Sequence, residues 1–428
     1  MVSETLPPHD EFEHTPPKGG GRRRSLAVVV GVVLVALVAT PLVLVLGEHS
    51  SPSAPTTDRG TTTSTSTTST VPAVSPQSLP GMPPVLDPQN VYAADTPFDL
   101  APVAKKALPI IYVPNSVSDT VSEINPFDNA IIRTFPVPRE PQHVVPSWDL
   151  KTLWVTSDLG NALTPIDPTT GVPGQPVPVT DPYNMYFTPN GQYAIVVAER
   201  YRRLDFRNPQ TMALEQSLPV PCAGVDHMDF STDGTYLLAS CEFGGSMVKV
   251  NLLTRTVVGT VSLGKNAMPQ DVKLSPDGSV FYVADMNSNG VWEIDGDTLG
   301  IIGFLHTGKG AHGLYPSRNA QDLYVSNRMA GTISVISFAT RSIVATWTLP
   351  PETPPYGGGD TVPSPDMGGV TEDGGVLWLS GRYNSDVYAI NTSTGQQVAR
   401  IPVGRGPHGL CVWPQPGRYS LGHTGIMR

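Results

Sequence analysis

From Gln270 the chain reads QDVKLSPDGSVFYVADMNSNGVWEIDGDTLGIIGFLHTG. Apolar residues fall at alternating positions in short runs (VKL, FYVAD, VWEID, IIGFLH), with Pro, Gly, Asp and Asn in the gaps. Successive side chains of an extended strand point to opposite faces, so a period of two between turn residues predicts four short antiparallel strands. The same order recurs in YNMYFTPNGQYAIVVAE from Tyr183, VDHMDFSTDGTYLLASCE from Val225, HGLYPSRNAQDLYVSN from His312 and MGGVTEDGGVLWLSGR from Met367. A weaker copy, QHVVPSWDLKTLWVTSD, starts at Gln142. The repeat is about 42 residues long, and one such sheet cannot bury both of its faces, so the copies must cover one another around an axis. The predicted fold is all-β, a propeller. A β-sandwich would not require the turn, the aromatic-aliphatic strand and the ID-type ending in fixed order.

Six complete blades are predicted, at 142–182, 183–224, 225–269, 270–311, 312–366 and 367–407. Two fragments remain. HGLCVWPQPG, near the C-terminal end, lacks the later strands, and IIYVPNSVSDTVSEINPFDNAIIRTFPV, Ile110 to Val137, lacks the first. Together they make a seventh four-stranded blade that closes the ring and leaves no long unpaired edge. One copy is about 13 residues longer than the rest, a size at which inserted connections are often functional. Its excess lies in LPPETPPYGGGDTVPSPD, Leu349 to Asp366.

A different pattern precedes the repeats. Ser25 to Leu46 reads SLAVVVGVVLVALVATPLVLVL without a charge; about 22 residues at about 1.5 Å each span a hydrocarbon core of about 30 Å. This predicts one transmembrane helix acting as a signal anchor. A cleaved signal peptide is the competing reading, but its apolar region would be shorter and no A-x-A-like site follows Leu46. Arg22, Arg23 and Arg24 precede the span, whereas Glu48 and His49 follow it. The positive-inside rule therefore places residues 1–24 in the cytoplasm, as a disordered tail, and the repeats outside the plasma membrane. Arg23-Arg24-Ser25-Leu26 also resembles part of a twin-arginine export signal. Residues 47–107 are read as a stalk and irregular lead-in, because Ser, Thr and Pro dominate residues 50–84 and cannot bury enough apolar surface to offset ordering. The propeller is assigned to 108–428.

A formal net charge of −10 with 15% charged residues gives no basic stripe for nucleic acid. The three cysteines, placed outside the cytoplasm, permit one disulfide. Cys222 in a loop and Cys241 at the end of a strand in the adjoining blade are the better pair; Cys411 sits in an apolar strand.

Tyr112-Val113-Pro114-Asn115, Trp154-Val155-Thr156-Ser157, Tyr282-Val283-Ala284-Asp285 and Tyr324-Val325-Ser326-Asn327 resemble the YVTN signature. SPDG at Ser275–Gly278 and PHGL at Pro407–Leu410 are similar to the same repeat, as found in surface-layer and YncE-type propellers. The resemblance implies a seven-bladed scaffold. It implies no single activity, since such scaffolds host binding proteins, lactonases and redox enzymes.

Alignment on the turn glycine, with PHGL and the weaker copy placed by their motifs, puts His143, Asn184, His227, Asp271, His312, Met367 and His408 at the start of the inner strands. Four of the nine histidines thus converge on the axis. In one reading His143, His227, His312 and His408 hold a copper- or zinc-type ion, while Asn184, Asp271 and Met367 line the channel mouth for a ligand. In the other, His before Gly-Leu is a habit of the repeat whose ring hydrogen-bonds a neighbouring blade. Asp158, Glu199, Arg200, Glu242, Asp285, Asn287, Arg328 and Arg382 are expected in loops on the same face. No G-x-S-x-G elbow, P-loop, H-E-x-x-H or C-x-x-C-H occurs, so no catalytic residue is assigned. The leading expectation is a non-catalytic module for a protein or cell-envelope ligand; the alternative is a metal-dependent oxidoreductase or hydrolase.

Overall fold

The computed structural model describes residues 78–351, 353 and 361–428. The expected anchor at 25–46, the tail before it and most of the Ser/Thr-rich stalk lie outside the described residues, as does much of the Pro/Gly-rich insertion. Among the described residues no helix is long and apolar enough to cross a membrane.

Seven antiparallel blades form, as the repeat predicts. In the fourth, the inner strand Pro269–Leu274 pairs with Phe281–Asp285, then Gly290–Asp295, then the outer strand Gly300–His306. Inner strands such as Val225–Phe230, Pro269–Leu274 and Pro365–Val370 are buried along their whole length, because a neighbouring blade covers each face. The outer strand Thr256–Ser262 alternates between exposed and half-buried residues, the mark of a sheet edge facing water. Each core cluster joins two neighbouring blades: Ile111 and Val113 pack with Trp378, Val387 and Ala389. Cys411–Trp413 supplies the inner strand beside Ile110–Asn115. Both ends of the chain therefore close the ring, and Cys222 and Cys241 are bridged as expected.

Two features have no counterpart in the repeat. Residues 78–107 run as a strap across the face that bears the first turn of each blade. Leu79 donates to Asp233 O, Val91 to Pro276 O and Phe98 to Glu372 O, and Asp95 pairs with Arg318. The strap thus crosses blades three, four, five and six in order.

The second feature is the C-terminal tail, which enters the axis from that same face. Ser420–Gly422 and Ile426–Met427 add two strands to the inner edge of blade two. Gly422 has φ +107°, and a Cβ there would meet Met185 O at 2.5 Å, so only glycine fits this close approach. Arg428 ends the tail with Nη2 2.7 Å from the buried Asp229 carboxylate.

Candidate functional site

The inner strands of blades one, three, four, five and six carry a β-bulge at their axial ends. A bulge leaves one residue unpaired and re-aims its side chain. The orphaned backbone N–H is met by a hydroxyl from the second strand: Thr156 accepts from His143, Ser240 from His227, Ser326 from Gly313 and Ser380 from Met367. Thr156 and Ser326 are the third letters of two of the YVTN-like signatures, and Ser240 and Ser380 hold the same place in their strands. The signature is therefore a device for holding the bulge open toward the axis.

Each bulge sends two consecutive residues inward, so the axis has two tiers. Leu150, Gly191, Gly234, Gly278, Ala320 and Gly374 are the turn residues with positive φ. The residues seven positions earlier are His143, Asn184, His227, Asp271, Gly313 and Met367, which share one tier. His312 and His408 come one position before Gly313 and Gly409, on the other tier with Gln142, Asp226 and Asp366. A single ring is the sequence expectation; the structure splits it, because the histidines of the HGL motifs stand one residue before the position that the turn alignment picks out in the other blades.

The splitting sorts the histidines into two groups. His143, His227 and His423 bring ligand nitrogens within 4.8 Å of one another, as do His312, Asp366 and His408 with their nitrogens and oxygen. His423 comes from the tail and went unseen in the sequence, since the residues around it belong to no repeat. All five imidazoles are 0–2% exposed. Burial holds His227, His312, His408 and His423 well below the usual imidazole range, helped by His423 near His227, Arg328 near His312, Arg382 near His408 and Lys273 near His423. They are neutral rings at neutral pH.

In the upper group the charges are internally matched. Arg328 Nη2 lies 2.7 Å from Asp366 Oδ1 and also contacts His312 Nε2, while His312 Nδ1 is 3.1 Å from Asp366 Oδ1. His408 Nδ1 donates to Gln142 Oε1 at 2.9 Å. In the lower group Asn184 Nδ2 stands 3.0 Å from Nδ1 of both His227 and His423. Asp271 accepts from Leu314 N of the next blade and from Lys273 Nζ at 2.9 Å each, so it ties blades four and five. Met367 is fully buried.

The loop charges turn inward as well. Asp158, Glu199, Glu242, Asp285, Arg328 and Arg382 are at most 4% exposed. Asp285 accepts from the backbone N–H of Met268, Asn287 and Ser288, and Arg200 pairs with Asp181. Four second turns also present large apolar residues to solvent, Val117, Tyr201, Phe243 and Met329 at 39–52% exposed, beside the exposed polar residues Asn161, Arg202 and Asn287. Leu159 and Tyr383 take the matching place in two other blades, half-buried, whereas blade four has Asn287 there and Met286 lies against Arg328. Strap and tail cover the opposite face, so this apolar collar lies on the face they leave bare.

Comparison with known proteins bears on the fold. A family described as YNCE-like beta-propeller matches residues 81–416. No curated protein sequence matches the chain. Among solved structures, hydrazine synthase of Kuenenia stuttgartiensis is similar at 15% identity with a TM-score of 0.57, covering 70% of this chain and 97% of that one. A functionally unknown protein from Desulfotomaculum acetoxidans is similar at 15% identity and TM-score 0.59, covering 72% and 100%. A dihydro-heme d1 dehydrogenase matches at 15% identity and TM-score 0.51, covering 79% of each chain. At such identity the likeness is one of fold alone.

Proposed function

This chain belongs to the YNCE-like β-propeller family, and we propose that it is a non-catalytic module that binds a protein partner outside the plasma membrane, tethered by its N-terminal apolar segment. The observation that carries this reading is the apolar collar. Four of the seven second turns expose a large apolar residue, Val117, Tyr201, Phe243 or Met329, on one face. Aromatic residues and Met are enriched in the anchoring centres of protein interfaces. The other face is occupied by the chain's own strap and tail, and the axis between them is filled with side chains that solvent does not reach. Recognition then falls to the collar.

Supporting the tether are the uncharged run Ser25–Leu46 and the three arginines before it, which favour a cytoplasmic N-terminus. A metal-dependent oxidoreductase or hydrolase is the second reading, favoured by the meeting of five imidazoles on the axis. It requires a substrate path to rings that are 0–2% exposed.

Site-specific photocrosslinking in cells expressing the full chain tests the proposal. A photoreactive residue at Tyr201 or Phe243 is expected to give one discrete adduct in the membrane fraction. The same residue at Phe127, also exposed but outside the collar, gives none. Adducts at Phe127 alone, or none at any site, would overturn the collar as the binding face.

A further inference from the structure

The two axial groups are not equivalent as ligand sites, and the difference lies in where their lone pairs point. In the upper group the lone pair of His312 Nε2 is taken by Arg328, whose guanidinium also neutralises Asp366. A second cation there would face an arginine already in place.

In the lower group two lone pairs meet. The Asn184 amide accepts from Met185 N through Oδ1, so Nδ2 is the end that faces the rings, and it can only donate. Nδ1 of His227 and Nδ1 of His423, each 3.0 Å from it, are therefore both unprotonated acceptors aimed at one point. The proton of each neutral ring is then on Nε2. A carboxylate lies near each: His227 Nε2 is 3.2 Å from Asp226 Oδ2 and His423 Nε2 is 3.5 Å from Asp271 Oδ1, neither in hydrogen-bonding geometry. Ring nitrogens that ligate a metal commonly leave the far N–H to a carboxylate, which fixes tautomer and aim. The third ring, His143, brings a nitrogen within 4.8 Å of the other two.

We propose that His143, His227 and His423 form a buried site for a zinc-class divalent ion, which fastens the C-terminal tail into the channel. Zinc–nitrogen bonds are about 2.0–2.1 Å, so the nitrogens close by about an ångström around the ion. The Asn184 amide turns to present Oδ1 as the fourth ligand, giving up its bond to Met185 N. Three neutral imidazoles and an amide oxygen suit zinc and related borderline ions. With four protein ligands the coordination is closed, as in structural zinc sites, whereas catalytic ones keep a position open. One ligand comes from blade one, one from blade three and one from the tail, so a bound ion would link parts of the chain far apart in sequence.

The test uses the full-length chain purified in detergent from zinc-supplemented cells. Bound zinc is counted by elemental analysis and the tail is probed by trypsin at Arg418. The wild type is expected to carry about one zinc per chain and to resist cleavage until a chelator is added. His423→Ala and His423→Gln, the second of which keeps a polar group in the channel, are expected to lose zinc more than tenfold and to be cleaved with or without chelator. His312→Gln, in the upper group, retains both zinc and protection. Equal zinc in His423→Gln and wild type, or none in wild type supplied with the ion, would overturn the site. The collar adducts are read separately, so a failure here leaves that reading standing and the reverse also holds.

Discussion

Protonating His312 places a second cation against Arg328, and the fold resists it. Burial first, and then Arg328, hold this imidazole well below its ordinary value, with Asp366 and Arg382 the other charges near it. In the unfolded chain the ring titrates near 6.5, the ordinary histidine value. Between the folded value and that point the unfolded state binds more protons, so stability rises with pH there and is lost as pH falls below about 6.5. Each such group contributes a slope of up to about 1.4 kcal/mol per pH unit. With chelator present, the urea midpoint is expected to drop between pH 7.5 and 5.5. His312→Gln flattens that drop, and an unchanged pH dependence in the variant would assign it elsewhere. The resemblance to YVTN located Thr156 and Ser326 without explaining them; their role becomes visible only when the bulge N–H each one satisfies is seen.

At the scale of elements the disulfide and the bulges make different demands. Cys222 lies in the connection entering blade three and Cys241 ends its second strand, 19 residues on. Crosslinking a loop of this length removes unfolded-state entropy worth about 3 kcal/mol. The double variant Cys222→Ser, Cys241→Ser is expected to unfold at lower denaturant by about 2–4 kcal/mol, measured by equilibrium unfolding; no change would mean that the bridge adds nothing to the fold. The strands themselves were legible, since alternation and turn residues mark each one. The bulges were not, because one extra unpaired residue leaves the apolar pattern intact while shifting what points inward. Blades three and five carry the same bulge, and within it His312 matches Asp226 rather than His227, a one-residue offset that the HGL motif hides.

For the whole molecule, repeat counting gave seven blades and the joint closure by both ends, because each fragment lacked what the other held. Strap and tail escaped it, being irregular in sequence and held by packing of Leu79, Tyr92, Leu421 and Ile426, by a few backbone bonds and by Arg428 and Arg318. Two truncations separate these contributions. Ending the chain after Pro416 keeps Cys411–Trp413 and with it the closed ring, but strips Asp229 of Arg428; a monomer less stable by about 3–5 kcal/mol is expected. Ending after Gly406 removes the closing strand, leaves Ile110–Asn115 an open edge and is expected to cause self-association. Size-exclusion chromatography and denaturant unfolding distinguish them, and a monomeric product from the shorter chain would count against the closure.

The path of the strap also decides how the molecule answers a pull. Tension on the chain ahead of Ser78 reaches Leu79 first, then Val91, Asp95 and Phe98, each fastened to a different blade. These attachments yield one at a time, like stitches. Ile110–Asn115 lies between Cys411–Trp413 and Thr120–Ile124, where neighbouring bonds must fail together. Were the chain pulled from its N-terminal side, the strap would act as strain relief, dissipating the load before it reached the seam of the ring.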